Sequence, residues 1–240
     1  STLMRSSAAS DVYKRQRIVM LGQKRVPSRE GGVEIVVEEL AVRMAERGYD
    51  VTCINRKGHH VSGKQYDGER IQLYKGIKLK TVPTIDKKGF AAMSASITGA
   101  FKAALGKYDI VHFHAEGPCV MLWLPRMFGI KTVATIHGLD WQRSKWGGFA
   151  SAVLKYGEKT AAKKADAVIV LSKNIQDYFE REYNRKTYFI PNGISKPEKR
   201  EINLIRNKYG LKKDGYFLFL ARIVPVSYTH LRAHETRSNL

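Results

Sequence analysis

The sequence has few cysteines, few acidic residues and no long apolar run. Its 240 residues contain two cysteines, and the longest apolar stretches, such as Cys119–Leu124, are far below the roughly 20 residues that cross a bilayer. Cys53 and Cys119 each lie within an apolar stretch, which favours core positions in a reducing compartment over a disulfide or a cysteine metal site. The sequence therefore predicts neither a transmembrane helix nor a disulfide framework.

Acidic residues are outnumbered by basic ones. The chain has 22 Asp and Glu against 42 Lys and Arg, which gives a net charge of +20. Such an excess favours an anionic partner, which can be nucleic acid, nucleotide phosphate or an acidic membrane surface. With 43% hydrophobic residues, the composition is that of a globular protein and excludes disordered, collagen-like and coiled-coil chains.

Both ends of the chain lack the periodicity of the interior. Codons can be written for Asp11–Gln16 whose reverse complement encodes Val226–His230, and both ends resemble translated transposon-type sequencing adapters. We therefore interpret residues 1–16 and 226–240 as non-native tails and exclude them from fold prediction. The tails hold five basic and two acidic residues, so the net charge falls only from +20 to +17 without them.

Through the interior, strand-length apolar runs alternate with helix-length amphipathic segments. Because a parallel strand connection needs a crossover, which a helix supplies, this alternation predicts an α/β fold with a Rossmann-like, doubly wound parallel sheet covered on both faces. The predicted strands are 17–22, 49–55, one or two within 71–82, 108–114, 131–137, 167–172 and 187–190. The predicted helices are 33–44, 90–105, 117–128, 148–165 and 173–183, and 56–70 is predicted to be a loop.

The domain organisation follows from a change in composition after Pro191-Asn192-Gly193. We predict a Rossmann-like domain over 17–194 and a charged linker with one short helix over 195–213. Residues 214–225 are then predicted to be the first strand of an incomplete second domain.

Ligands of open parallel sheets bind beyond the carboxyl ends of the strands, near the point where strand order reverses. Gly31 and Gly32 open the first helix, where free N–H groups and the positive dipole end suit a phosphate. They belong to neither a G-x-G-x-x-G nor a P-loop pattern, which argues against a nicotinamide enzyme and a P-loop NTPase. His137 ends a strand at the expected crevice and is a candidate functional residue.

The loop after His137 is basic and aromatic. Trp141 and Arg143 can contact a sugar or a phosphate, or they can form a packed cap over the loop. His112 and His114 share one face of their strand, but only Glu116 lies near them at ligand spacing, so we predict no metal site.

Five short motifs occur in order along the interior and together resemble a known family. They are Gly31-Gly32-Val33-Glu34, Val111-His112-Phe113-His114, Thr135-Ile136-His137-Gly138, Val170-Leu171-Ser172 and Ile190-Pro191-Asn192-Gly193-Ile194. The set resembles the amino-terminal domain of family 4 glycosyltransferases, which have the GT-B architecture. Residues 219–225 are similar to the first strand of that family's second domain. The resemblance implies that 17–194 is the acceptor-side domain and that 214–225 begin the donor-binding domain.

The resemblance implies transfer of a sugar, with retention of configuration, from a nucleotide-sugar donor to a polysaccharide or glycolipid acceptor, without a metal or other cofactor. Gly31 and Gly32 would then lie near the donor diphosphate. His137 would be the catalytic residue facing the donor sugar, and Arg222 would neutralise the leaving diphosphate. The other expected acceptor or sugar contacts are Glu116, Asp140, Trp141 and Arg143.

The family pattern is incomplete after Arg222. Pro225 is followed by Val226 rather than by the Glu-Lys-Gly of the family motif, and the E-x-x-x-x-x-x-x-E motif is absent. We therefore predict that this chain is a fragment that does not catalyse transfer by itself.

Two other function classes remain open. One is a nucleotide-sugar epimerase of the same architecture. The other is a basic nucleic-acid-binding module, which is disfavoured because no helix-turn-helix, RRM or KH pattern occurs, so we expect no nucleic-acid partner.

Clustered lysines indicate an anionic membrane surface as a further partner. Such clusters are favourable near acidic lipid, although an ordinary solvated helix face is equally compatible with them. We expect a cytoplasmic protein that is peripheral on the inner membrane face. The lysines concerned are Lys155, Lys159, Lys163 and Lys164 on one predicted helix, and Lys87 and Lys88 in a loop.

Overall fold

The computed structural model describes residues 15–28, 31–58, 72–85, 87, 90–142, 147–194, 203–212 and 215–217. The chain divides into two units, 1–192 and 193–240. Nearly all of the predicted tails, and the predicted second-domain strand beyond residue 217, lie outside the described residues. In the second unit, helix α7 spans Asn203–Tyr209, inside the segment predicted to be a linker. The proposed domain boundaries stay a prediction.

The first unit alternates strands and helices as the sequence pattern predicts. Its described strands are β1 Arg17–Leu21, β2 Asp50–Arg56, β3 Leu73–Tyr74, β4 Ile77–Val82, β5 Ile110–His114, β6 Lys131–Ile136, β7 Ala167–Val170 and β8 Tyr188–Phe189. Its described helices are α1 Gly32–Glu46, α2 Phe90–Ala104, α3 Glu116–Cys119, α4 Trp123–Met127, α5 Gly148–Lys164 and α6 Lys173–Tyr183.

The strands form one sheet in the order β3-β4-β2-β1-β5-β6-β7-β8. Among the described strands, only β3 and β4 pair antiparallel, as a short hairpin at one edge. From β1 the chain moves outward to β2 and β4, and it then returns to β5 on the other side of β1. Strand order therefore reverses between β1 and β5, which confirms the predicted doubly wound parallel sheet.

Two apolar layers cover the sheet. One face packs against α2, α3, α5 and α6, with Phe113, Ile136 and Phe179 fully buried. The other face packs against α1, whose Val37 and Ala41 are fully buried. Cys53 and Cys119 are buried and free, so their predicted core positions are confirmed.

The single helix predicted over 117–128 is wrong. The structure has two short helices here, α3 and α4, separated by residues 120–122. Pro125 has no N–H to donate to the carbonyl of Met121, and its ring crowds that carbonyl, so a continuous helix cannot form. Pro118 lies in the first turn of α3, where its missing N–H costs nothing.

Candidate active site at the switch point of the sheet

The loop after β1 lies directly against the end of β5. Gly22 has φ +116°, and a Cβ at this position would stand 2.1 Å from the carbonyl oxygen of His114. Only glycine meets both requirements without strain. This close approach brings the carboxyl ends of β1 and β5 together at the point where strand order reverses.

Three histidine rings stack at this edge. The rings of His112 and His114 are 4.2 Å apart between centroids, and His114 Nδ1 lies 3.2 Å from His137 Nε2. His112 Nε2 lies 2.7 Å from Thr135 Oγ1 on the neighbouring strand. His114 Nε2 is buried and has no hydrogen-bond partner among the described residues. The predicted site residue His137 is thus held from behind by a second, fully buried histidine.

Burial keeps this cluster neutral at pH 7. Burial and the neighbouring His137 lower the pKa of His112 to about 4, and burial lowers the pKa of His114 far below its ordinary value. Burial also lowers the pKa of His137, against the opposing charges of Asp140 and Glu34. His137 can therefore donate or accept a hydrogen bond, but it supplies no positive charge.

The start of α1 faces the same edge and is open. Gly31 is the N-cap, with an extended backbone and no capping side chain, and a Cβ on Gly32 would have no atom within 4 Å. Neither glycine is required by backbone conformation, and the space that a side chain on Gly32 would occupy beside the first N–H groups of α1 holds no described atom. That space suits an anion.

Two fully buried carboxyl groups hold the loop that follows His137. The backbone N–H of Asp140 donates to Glu116 Oε2 at 3.1 Å, and Trp141 Nε1 donates to Glu158 Oε2 at 2.8 Å. The hydroxyl groups of Tyr178 and Tyr183 donate to Glu158 Oε1 at 2.8 and 2.5 Å.

The two carboxyl groups also act on each other. Burial, the charges of Glu158 and Asp140, and a hydrogen bond with Glu158 raise the pKa of Glu116 well above its usual range. Glu116 is therefore protonated at neutral pH, and Glu158 accepts three hydrogen bonds from neighbouring side chains. A Cβ on Gly157 would stand 2.1 Å from the carbonyl oxygen of Glu116, so only glycine lets α5 bring Glu158 this close.

Sequence reasoning missed Glu158 and Glu34. Both are acidic residues on the buried stripe of a helix, since Glu158 precedes Ala161 by three residues and Glu34 precedes Val37 by three. An acid in an apolar stripe at helical spacing signals a buried polar contact. Glu34 Oε1 accepts a hydrogen bond from the backbone N–H of Lys24 at 3.1 Å.

Arg56 was predicted to begin a loop, but it is the last residue of β2. Its Nη2 donates to the carbonyl of Gly22 at 3.1 Å. Burial lowers the pKa of this guanidinium, and the charge of Glu34 opposes the shift. Arg56 lines a cavity of about 10 Å³, room for about one water molecule. Its position directly after an apolar strand was the signal that could have identified it.

The remaining predicted site residues divide into two groups. Asp140 and Trp141 lie in the loop held by the buried carboxyl pair, and the Nζ of Lys155 stands 4.4 Å from the centre of the Trp141 ring. Arg143 and Arg222 lie outside the described residues. The functional roles of all these residues stay predictions.

The described part of the chain holds no group of three or more His, Cys, Asp or Glu placed to bind a metal ion. Its helices are all too short or too polar to cross a bilayer.

Comparison with known proteins identifies the family. The profile of Glycosyltransferase Family 4 matches residues 30–196, which is more than half of the chain. The chain belongs to glycosyltransferase family 4. This confirms the resemblance drawn from the five motifs.

Individual relatives of this family 4 chain are distant. The uncharacterized glycosyltransferase MJ1178 of Methanocaldococcus jannaschii is 26% identical over 175 residues, which cover 69% of this chain and 44% of that protein. Sucrose-phosphate synthase from Thermosynechococcus elongatus has a TM-score of 0.60 at 20% identity, over 83% of this chain and 54% of that one. For Anabaena Alr3699/HepE the TM-score is 0.54 at 15% identity, over 82% and 50%.

These matches define what the chain shares with its relatives. The solved structures have the GT-B glycosyltransferase fold, which confirms the predicted fold class. The chain spans about half the length of the relatives it matches.

Proposed function

We propose that this chain forms the acceptor-side half of a retaining glycosyltransferase, which moves a sugar from a nucleotide-sugar donor to a polysaccharide or glycolipid acceptor. The observation that carries the proposal is the convergence at the switch point of an open helix start, at Gly31 and Gly32, with the neutral ring of His137. Anabaena Alr3699/HepE, which shares the fold, was solved in complex with UDP and glucose.

Each part of this edge has a distinct task in the proposed reaction. The N–H groups and dipole of α1 bind the donor diphosphate, and Arg222 neutralises the charge that grows on it as the glycosidic bond breaks. His137 donates or accepts a hydrogen bond at the donor sugar, in an orientation fixed by His114. No metal takes part in this scheme, so chelation with EDTA is expected to leave diphosphate binding unchanged.

The acceptor side is proposed to lie along the loop after His137. Asp140 and Trp141 contact the acceptor together with Arg143. Glu116 is fully buried, so its contribution is to hold the backbone of Asp140 rather than to reach the acceptor itself.

A lipid-linked acceptor would bring the enzyme to the cytoplasmic face of an anionic membrane. Supporting this, Lys155, Lys159 and Lys163 line one side of an open cleft of about 600 Å³ between α5 and α6. Clustered lysines contribute about 1 kcal/mol each near an acidic lipid surface.

Nuclear magnetic resonance with the purified chain tests the donor site. Titration with UDP and with UDP-glucose is expected to shift the amide resonance of Gly32 and the ring resonances of His137. Gly32→Ala should weaken binding several-fold, because its methyl group occupies the space in front of the helix start. Gly148→Ala is the matched control, since Gly148 also opens a long helix and has equally open surroundings.

The results distinguish the proposal from its rivals. Loss of binding in Gly148→Ala but not in Gly32→Ala, or no shift at His137, would refute the donor site. The family match favours transfer over the epimerase alternative. We expect donor binding without turnover, and measurable sugar transfer by this chain alone would overturn the prediction that it is inactive by itself.

A further inference from the structure

Helix α2 is amphipathic in the reverse of the usual sense. A surface helix of a globular protein normally turns its large apolar side chains toward the core. In α2 the buried residues are small: Ala95, Ser96, Gly99, Ala100, Ala103 and Ala104. The large apolar residues at the same helical spacing are exposed: Phe90, Met93, Ile97, Phe101 and, directly after the helix, Leu105.

The neighbouring helix α4 continues this apolar surface. Leu124 of α4 packs with Ala100 and Ala104 of α2 in one buried cluster. Around that contact, α4 and the residue after it expose further large apolar side chains, with Met127 73% exposed. We call the exposed residues of α2 and α4 the apolar face: the five named above together with Trp123, Met127 and Phe128.

The apolar face is too large to be ordinary surface scatter. Single exposed apolar residues are normal, whereas contiguous patches mark binding surfaces. Phe101 is 48% exposed and Leu105 73%, and among the described residues no other element covers them. This face has the composition of a docking surface.

The charges around the apolar face identify its partner. No Asp or Glu occurs from Lys87 to Tyr108 or from Gly117 to Leu139. The same segments carry exposed basic residues, among them Lys87, Lys102 and Lys107. Asp166 reaches this region from outside these segments, but Arg126 and Lys131 both pair with it. A second copy of the chain would therefore present the same net basic surface and would be repelled. An anionic lipid surface accepts both the apolar side chains and the lysines that flank them.

We propose that the apolar face of α2 and α4 is the surface by which this chain docks on an anionic membrane, with Phe101 and Trp123 inserted at the level of the lipid headgroups. The inference rests on the membrane partner in the proposed function and assigns it a surface other than the lysines of α5. Both surfaces belong to the same helical layer of the sheet, since α2 and α5 contribute to one core cluster.

Vesicle sedimentation with the full 240-residue chain tests the assignment. The chain is expected to bind vesicles of phosphatidylcholine with phosphatidylglycerol and to bind pure phosphatidylcholine vesicles weakly. Phe101→Glu should reduce partitioning about tenfold or more, because it removes an inserted ring and adds a charge that the lipid repels. Ile35→Glu is the matched control, since Ile35 on α1 is 40% exposed on the other face of the sheet.

A second readout does not depend on the folding of the glutamate variant. Brominated lipid is expected to quench part of the tryptophan fluorescence in the wild-type chain, and this quenched part should disappear in Trp123→Phe. Unchanged quenching in Trp123→Phe would overturn the proposed surface, whatever the behaviour of Phe101→Glu.

The remaining outcomes separate the surface from the proposed function. If Lys155→Gln with Lys159→Gln and Lys163→Gln abolishes binding while Phe101→Glu does not, the membrane partner stands and this surface is wrong. If the wild-type chain binds no vesicle, both are wrong, and the nucleotide titration still tests donor binding independently. A dimer that Phe101→Glu dissociates would identify a second copy as the occupant and overturn the lipid assignment.

Discussion

The buried carboxyl pair makes the stability of this chain depend on pH in a way that one substitution can remove. Glu116 takes up a proton on folding, because burial and the charge of Glu158 raise its pKa above the ordinary value of 4.5. Glu116→Gln keeps an oxygen for the N–H of Asp140, and its amide can donate to Glu158. The variant therefore preserves the hydrogen bonds and removes the titration.

The sign and size of the effect follow from proton linkage. Above pH 4.5 the unfolded chain has released the proton that folded Glu116 still holds, so the free energy of unfolding of the wild type falls as pH rises. A full proton corresponds to about 1.4 kcal/mol per pH unit. The difference in free energy of unfolding between Glu116→Gln and the wild type should therefore shift by about 3 kcal/mol in favour of the variant from pH 5.5 to pH 7.5. The other groups titrate alike in both chains and cancel from this difference.

Urea unfolding at a series of pH values, followed by tryptophan fluorescence, measures this difference. Glu46→Gln is the control for the same change of side chain at a solvent-exposed position, because Glu46 is exposed at the end of α1. Parallel stability curves for Glu116→Gln and the wild type would refute the reasoning, because they would mean that Glu116 is ionised in the folded chain.

Three further predictions concern the residues that surround the site. Gly22→Ala should lower the free energy of unfolding by about 3 kcal/mol through backbone strain and overlap with His114, whereas Gly32→Ala should change it by less than about 0.5 kcal/mol; similar values for both in chemical denaturation would contradict the geometry at Gly22. The ring of His112 should stay neutral until about pH 4 in an NMR titration, and the chain should lose stability as pH falls below 6.5 because the unfolded state takes up that proton first; titration near 6.5 would show an accessible ring. Tyr183→Phe should lower the free energy of unfolding by about 1 to 2 kcal/mol, because it removes a hydrogen-bond donor to Glu158. Tyr188→Phe, at an exposed edge of the sheet, should leave it almost unchanged in the same chemical denaturation. Equal effects would mean that the hydroxyl of Tyr183 contributes nothing to stability.

The fold was predictable because strands and helices of the parallel sheet carry their periodicity locally. The observed bounds of α6, Lys173–Tyr183, are those predicted, and α2 differs by one residue at its end. The break between α3 and α4 was missed because the apolar pattern continues through it, and the effect of one proline, Pro125, outweighs that pattern.

The candidate site was less predictable, because its contacts join segments far apart in the chain. The sequence places His137 and Glu116 after strands, and the structure puts them at the same edge of the sheet. The sequence gives no direct sign that Glu158, more than 40 residues after Glu116, lies in the same buried environment. That pairing depends on the approach of two helices at Gly157, which is a property of the packed structure.

The two outer strands of the sheet, β3 and β8, are each only two residues long. An edge this short offers few unpaired N–H and C=O groups, so a second chain has little to extend by strand addition. Self-association through edge-to-edge pairing of sheets is therefore disfavoured, even though the chain exposes many apolar side chains. When this protein associates at high concentration, we expect the helical content to be kept rather than converted to intermolecular β-structure, which infrared spectroscopy of the associated material can measure.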